Sequence, residues 1–194
     1  SSESKRCENV INLLKYNKDY EGFINIKGEY IAYAVSGEAY DYVEETSERL
    51  RKFAQKLYKF PFYLHFESYY DSPQWILQER DFDIHYQPSG RTVLTQSGRK
   101  LFEAEVPAFT VKISNVELLD KAFELWFQYA FDNNLWVLTQ EDTIVYEGGF
   151  AAIELMKDEV ILVTEHDAYG FTVLTNDKTF QQEKTLRVLL DEAF

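Results

Sequence analysis

Ser114–Glu147 reads SNVELLDKAFELWFQYAFDNNLWVLTQEDTIVYE, and the change of period inside it decides the fold class. Polar residues at Glu117, Lys121, Glu124, Gln128 and Asp132 recur at spacings of three and four, while Leu118, Leu119, Ala122, Phe123, Leu125, Trp126, Phe127, Tyr129, Ala130 and Phe131 fill the rest. That pattern predicts a helix over 115–133 with one narrow wet stripe. Ser114-Asn115-Val116-Glu117 fits a capping box at its start, and Asp132-Asn133-Asn134 supplies a stop that tolerates left-handed backbone. The next runs, LWVLTQ and DTIVYE, have the composition of strands. A helix this apolar needs cover from a sheet and from a second helix or a partner chain, so it is expected to be a largely buried central helix.

Outward from this stretch, Cys7–Tyr16 has apolar residues at 7, 10, 11 and 14 and predicts a short helix. Residues 23–26 and 29–35 flank Lys27-Gly28 as a predicted hairpin. Asp41 opens a second helix with acidic residues in its first half and basic ones in its second, as the helix dipole favours, and Pro61 ends it before a strand over 62–67. Short strands follow at 75–78, 82–86, 92–96, 101–106 and 109–113, punctuated by Pro88-Ser89-Gly90, Ser97-Gly98 and Pro107. After the central helix come strands at 135–139 and 143–146, a flexible break at Gly148-Gly149, a segment at 150–156 that reads as either helix or strand, strands at 160–164 and 171–174, and a last helix from Thr179. This order is not a regular alternation of strand and helix. It predicts an α+β fold, a mainly antiparallel meander with about four helices packed on it. The expectation is one compact domain over 1–194, with 107–114 as the only candidate subdivision.

The chain carries 20 basic and 33 acidic residues, a net charge of −13. Such a field repels nucleic acid and anionic membrane and favours encounter with a basic protein. Apolar runs fall short of the roughly 20 residues a bilayer span needs, and no leader pattern is present. Cys7, the lone cysteine, has no internal disulfide partner. These features predict a cytoplasmic protein.

Chemistry is sparse. Asp81, Asp83 and His85 alternate and would share one strand face, ligand types suited to a divalent metal, with His65 and Glu67 as further ligands if their strand lies alongside. Glu165-His166-Asp167 and the repeated Ser-Gly-Arg at 89–91 and 97–99 read as turn chemistry. No phosphate loop, dinucleotide fingerprint, nucleophile elbow or paired-cysteine site is present, so no cofactor is expected. Tyrosine is abundant, at 14 residues. Tyr69 and Tyr70, with Trp75 just beyond and Glu67 and Asp71 beside them, make an expected partner-binding patch. The leading expectation is therefore an acidic protein-binding module, an inhibitor or immunity protein that occludes a basic partner. The alternatives are a metal-dependent hydrolase using Asp81, Asp83 and His85, and an assembly subunit that forms a homo-oligomer.

Overall fold

The computed structural model describes residues 10–17, 19–69 and 73–194. Strands β1 (Asn12–Lys15), β2 (Asn25–Lys27) and β3 (Ile31–Ser36) precede helix α1 (Tyr42–Leu57). Strand β4 (Phe62–Glu67) and the short helix α2 (Pro73–Leu77) lead into β5 (Asp83–Ser97) and β6 (Lys100–Ile113). Helix α3 (Val116–Phe131) is followed by β7 (Trp136–Thr139), β8 (Val145–Glu147), β9 (Phe150–Glu154), β10 (Val160–Thr164), β11 (Phe171–Thr175) and helix α4 (Glu183–Ala193). Eight strands form one sheet in the order β1-β3-β11-β10-β7-β4-β6-β5, and every neighbouring pair is antiparallel. A second sheet, β2-β9-β8, contains the parallel pair β2–β9. The fold is α+β. None of the helices among the described residues is long and apolar enough to cross a membrane.

Alternation along each strand decides what the two faces of the large sheet meet. One face presents Tyr33, Val35, Phe62, Leu64, Phe66, Phe109, Val111, Trp136, Leu138, Leu162 and Val173 to the buried stripes of α1, α3 and α4. The opposite face presents Ala32, Val137, Ile161, Val163 and Leu174 to Ile24, Ala151 and Ile153. The small sheet is thus the third layer, opposite the helices. Strands β7, β10 and β11, covered on both sides, are buried along their whole length and read as unbroken runs rather than alternating ones.

Helix α3 lies on β6 and β7 with α1 beside it. Seven of its sixteen residues are buried, while Glu117, Asp120, Glu124 and Gln128 are exposed. Asn115, not Ser114, is its cap: the Asn115 side chain accepts from the Leu118 amide at 2.9 Å. Asn133 closes the helix with φ at 60°, as an asparagine stop should. Trp136 Nε1 then donates to the Trp126 carbonyl at 3.1 Å, which fastens β7 to the helix that precedes it.

Several local expectations give way to long-range pairing. The expected helix at Cys7–Tyr16 contains β1 instead, because Asn12–Lys15 adds to the edge of β3; Cys7 itself lies outside the described residues. Lys27-Gly28 does turn, with Gly28 at φ +91°, but β2 and β3 enter different sheets and make no hairpin. Residues 75–77 of the strand predicted at 75–78 belong to α2, whose Ile76 is buried, and Gln78 is in the turn that follows. Pro88-Ser89-Gly90 and Pro107 are not turns. Pro88 faces Pro107, and the next pair is Thr92 with Glu105, so Ser89, Gly90 and Arg91 oppose Val106 alone in a bulge. Four expected strands fuse into one long β5–β6 hairpin. Gly148 and Gly149, at φ +59° and +85°, are the tight turn between β8 and β9, where positive φ at both positions suits the twist of a two-residue hairpin.

Candidate functional site

Strand β5 begins at Asp83, and Asp81 stays in the preceding turn because Phe82 is drawn inward to pack on Trp126 at 4.8 Å between centroids. Lys121 Nζ binds Asp81 at 2.7 Å and approaches Glu79 at 3.7 Å; hydrogen bonding and charge from Lys121 hold the Asp81 carboxyl below its usual range. Asp83 and His85 lie on the exposed edge strand. Strand β4 is not beside β5, because β6 lies between them: Thr110 pairs with His65 on one side and His85 on the other. Two strand spacings put those histidines on the order of 10 Å apart along the sheet.

His65 is 3% exposed and committed internally. Its Nδ1 is 2.8 Å from Thr110 Oγ1 and its Nε2 is 2.9 Å from Thr139 Oγ1. Thr139 donates its hydroxyl proton to the Glu141 carbonyl at 2.7 Å, so His65 Nε2 must be the donor and Nδ1 the acceptor. Burial pushes the imidazole pKa down to about 3. Among the described residues no group of three or more His, Cys, Asp or Glu side chains is arranged to hold a metal ion. The expected trio Asp81, Asp83 and His85 is therefore not gathered at one point, and His65 cannot join it.

Glu67, expected on the partner-binding patch, faces inward and is 2% exposed. Its carboxylate accepts from Arg91 Nη2 and, at 2.8 Å, from the Tyr146 hydroxyl. Arg91 Nη1 donates to the Gly149 carbonyl at 2.6 Å, and the guanidinium lies 5.0 Å over the Phe150 ring. Burial, then the Glu67 charge, pushes the Tyr146 hydroxyl pKa upward. The network joins β4, the β5 bulge and the β8–β9 turn, so it clips the small sheet to the large one and leaves Glu67 unable to steer a partner. Tyr69 is half-buried, with its hydroxyl 3.5 Å from Arg91 Nη2. Tyr70 and Asp71 lie outside the described residues. Trp75 stands out from α2 at 65% exposure, directly before Ile76 at 1%.

Glu165-His166-Asp167 enters a short 3-10 turn whose members diverge. Asp167 exchanges hydrogen bonds with Asn133, at 2.9 Å from Nδ2 to Oδ1 and 2.6 Å from its amide to Oδ1, while His166 packs on Phe23 and Glu165 accepts from Thr172. This ties the end of α3 to the β10–β11 connection.

One cleft carries a feature that sequence reading missed. The end of α1, the β9–β10 turn and the segment after β11 enclose about 450 Å³ between Leu57, Tyr58, Met156 and Phe180. Glu159 lines it at 7% exposure, accepting from the Met156 amide at 2.6 Å and from Thr143 Oγ1 at 3.4 Å. Burial raises its pKa. Its only signal in the sequence is a carboxylate set directly against the apolar run Val160–Val163. A larger cleft of about 780 Å³ beside Tyr30 and Lys178 is lined only by exposed or half-buried residues. No family model, curated protein or solved structure matches this chain.

Proposed function

We propose that this chain is an acidic protein-binding module that occludes a basic partner, in the manner of an inhibitor or immunity protein, and that it works in the cytoplasm. The observation that carries the reading is Trp75: an indole 65% exposed, on a short helix anchored by buried Ile76, in a chain of net charge −13. Tryptophan offers large contact area at low entropic cost and is enriched among binding hot spots. Excess carboxylate accelerates encounter with a cationic surface and does not by itself provide the buried anchor. Covering the indole contributes about 2 kcal/mol, or roughly 30-fold in affinity.

The test is capture of basic proteins from an extract of the native host, followed by binding kinetics of the purified partner. The association rate is expected to fall steeply with salt, and Trp75→Ala to raise Kd by about 30-fold. Absence of a basic partner, or binding indifferent to both salt and Trp75→Ala, sinks the reading.

One observation favours a second reading, an assembly subunit. Strand β5 is one of the two edge strands of the large sheet, and Leu94, Leu101 and Phe102 on its hairpin are 69%, 61% and 42% exposed. Its Thr92–Ser97 segment has neither charge nor proline, the usual devices that blunt an edge. A second copy pairing antiparallel there sets no like charges opposite one another on the paired strand. Light scattering at high concentration separates the readings, since a monomer excludes this one.

A further inference from the structure

We propose that the cleft around Glu159 receives one cationic side chain, an arginine or a lysine, from the basic partner. This rests on the protein-binding reading and adds to it a specific subsite. Buried carboxylates are normally paired with a cation, because removing the charge from water without compensation is expensive. Glu159 is 7% exposed, yet both of its donors, the Met156 amide and the Thr143 hydroxyl, are neutral. Among the described residues no Lys, Arg or His forms an ion pair with it, and Lys157, the one cation lining the cleft, is exposed. A carboxylate has about four lone-pair sites, so two donors leave it able to accept a bidentate guanidinium.

The surroundings select the kind of cation. Glu141, Asp158 and Asp177 also line the cleft, giving it an excess of negative charge over the single Lys157. These carboxylates are not gathered to hold a metal ion. Leu57, Tyr58, Met156 and Phe180 form apolar walls that suit the aliphatic stem of a long basic side chain, whose charged head would then reach Glu159. The Tyr58 hydroxyl donates inward, 2.8 Å from the Val160 carbonyl and 2.9 Å from that of Leu138, and so serves as a wall and not as a ligand.

The chain's single methionine is Met156, which lines the cleft, so protein labelled with 13C at the methionine methyl reports on it with one resonance. The probe is N-acetyl-arginine N′-methylamide, with the uncharged citrulline counterpart as its control. The resonance is expected to shift saturably with the arginine probe and not with the citrulline one. Glu159→Gln, which keeps the side-chain shape and one acceptor oxygen for the Met156 amide but carries no charge, should weaken the arginine probe by about ten-fold or more, as loss of a charged partner implies. Asp158→Asn, a rim change, should weaken it a few-fold, and Glu124→Gln on α3 should leave it unchanged. An unsaturable shift, an equal response to the citrulline probe, or binding unaffected by Glu159→Gln in protein that unfolds normally overturns the proposal. No protein partner enters this assay, so its failure leaves the Trp75 result standing, and a failed partner capture leaves this result standing.

Discussion

Replacing Arg91 by alanine tests whether the clip between the two sheets is held by charge. In the folded protein the Glu67 side chain is 3% exposed and that of Arg91 19%. Arg91→Ala removes the ion pair, the hydrogen bond to the Gly149 carbonyl and the guanidinium over Phe150, and leaves Glu67 with Tyr146 as a hydrogen-bond donor. Breaking a buried pair by deleting one partner costs about 3–5 kcal/mol, chiefly because the remaining charge is stranded. The partial exposure of Arg91 admits some water, which places the cost near the lower limit, about 3 kcal/mol. For a chain of this length that lowers Tm by roughly 6–12 °C. Urea unfolding of wild type, Arg91→Ala, Glu67→Gln and the double variant closes a cycle. With Glu67 neutralised, Arg91→Ala should cost only about half as much, a coupling of more than 1 kcal/mol. A single-variant cost below about 1 kcal/mol, or additivity within about 0.4 kcal/mol, refutes the stranded-charge argument and leaves Arg91 as ordinary packing.

Three further outcomes follow from particular side chains. His65 has its pKa lowered from the ordinary 6.5 to about 3, so between those values the unfolded chain takes up a proton that the folded chain does not. Stability should therefore fall as pH drops through that window, by about 2 kcal/mol from this group at pH 5, and urea titrations at pH 7 and pH 5 should find this share missing in His65→Gln. Gly149 sits at φ +85°, where an added Cβ would meet Arg91 Cβ at 3.0 Å and Cα at 3.2 Å, so Gly149→Ala should cost about 2 kcal/mol. Gly98→Ala, at φ +61° with nothing within 4 Å, should cost only about 1 kcal/mol, and calorimetry of the two variants compares them. Trp136, fully buried against Phe123 and Phe127 at 4.9 and 5.2 Å, should cost about 3–5 kcal/mol when truncated to alanine, measured by urea unfolding.

Features whose cause is local are legible in the chain before it folds. The spacing of Glu117, Lys121, Glu124 and Gln128 marks α3, the charge order after Asp41 marks α1, and Phe62, Leu64 and Phe66 alternate along β4. In each case the deciding interactions join residues two to four positions apart, and the chain records them as a period. Asn12–Lys15 could not be read this way, because what makes it a strand is the free edge of β3, more than fifteen residues further on. Pro88 and Pro107 look like turn signals singly and become a bulge only when they face each other across a hairpin.

The candidate site was less legible than the fold for the same reason. Nothing within the sequence neighbourhood of Glu67 says that Arg91 and Tyr146 will enclose it, or that β6 will separate His65 from His85. Glu159 stands beside an apolar run in the chain, and only the fold brings Tyr58 at the end of α1 and Phe180 after β11 to the same cleft. Period is set by backbone geometry and survives in one dimension. Whether a charge is wet, paired or buried without a counter-ion depends on which distant segments pack against it, and tertiary structure alone decides that.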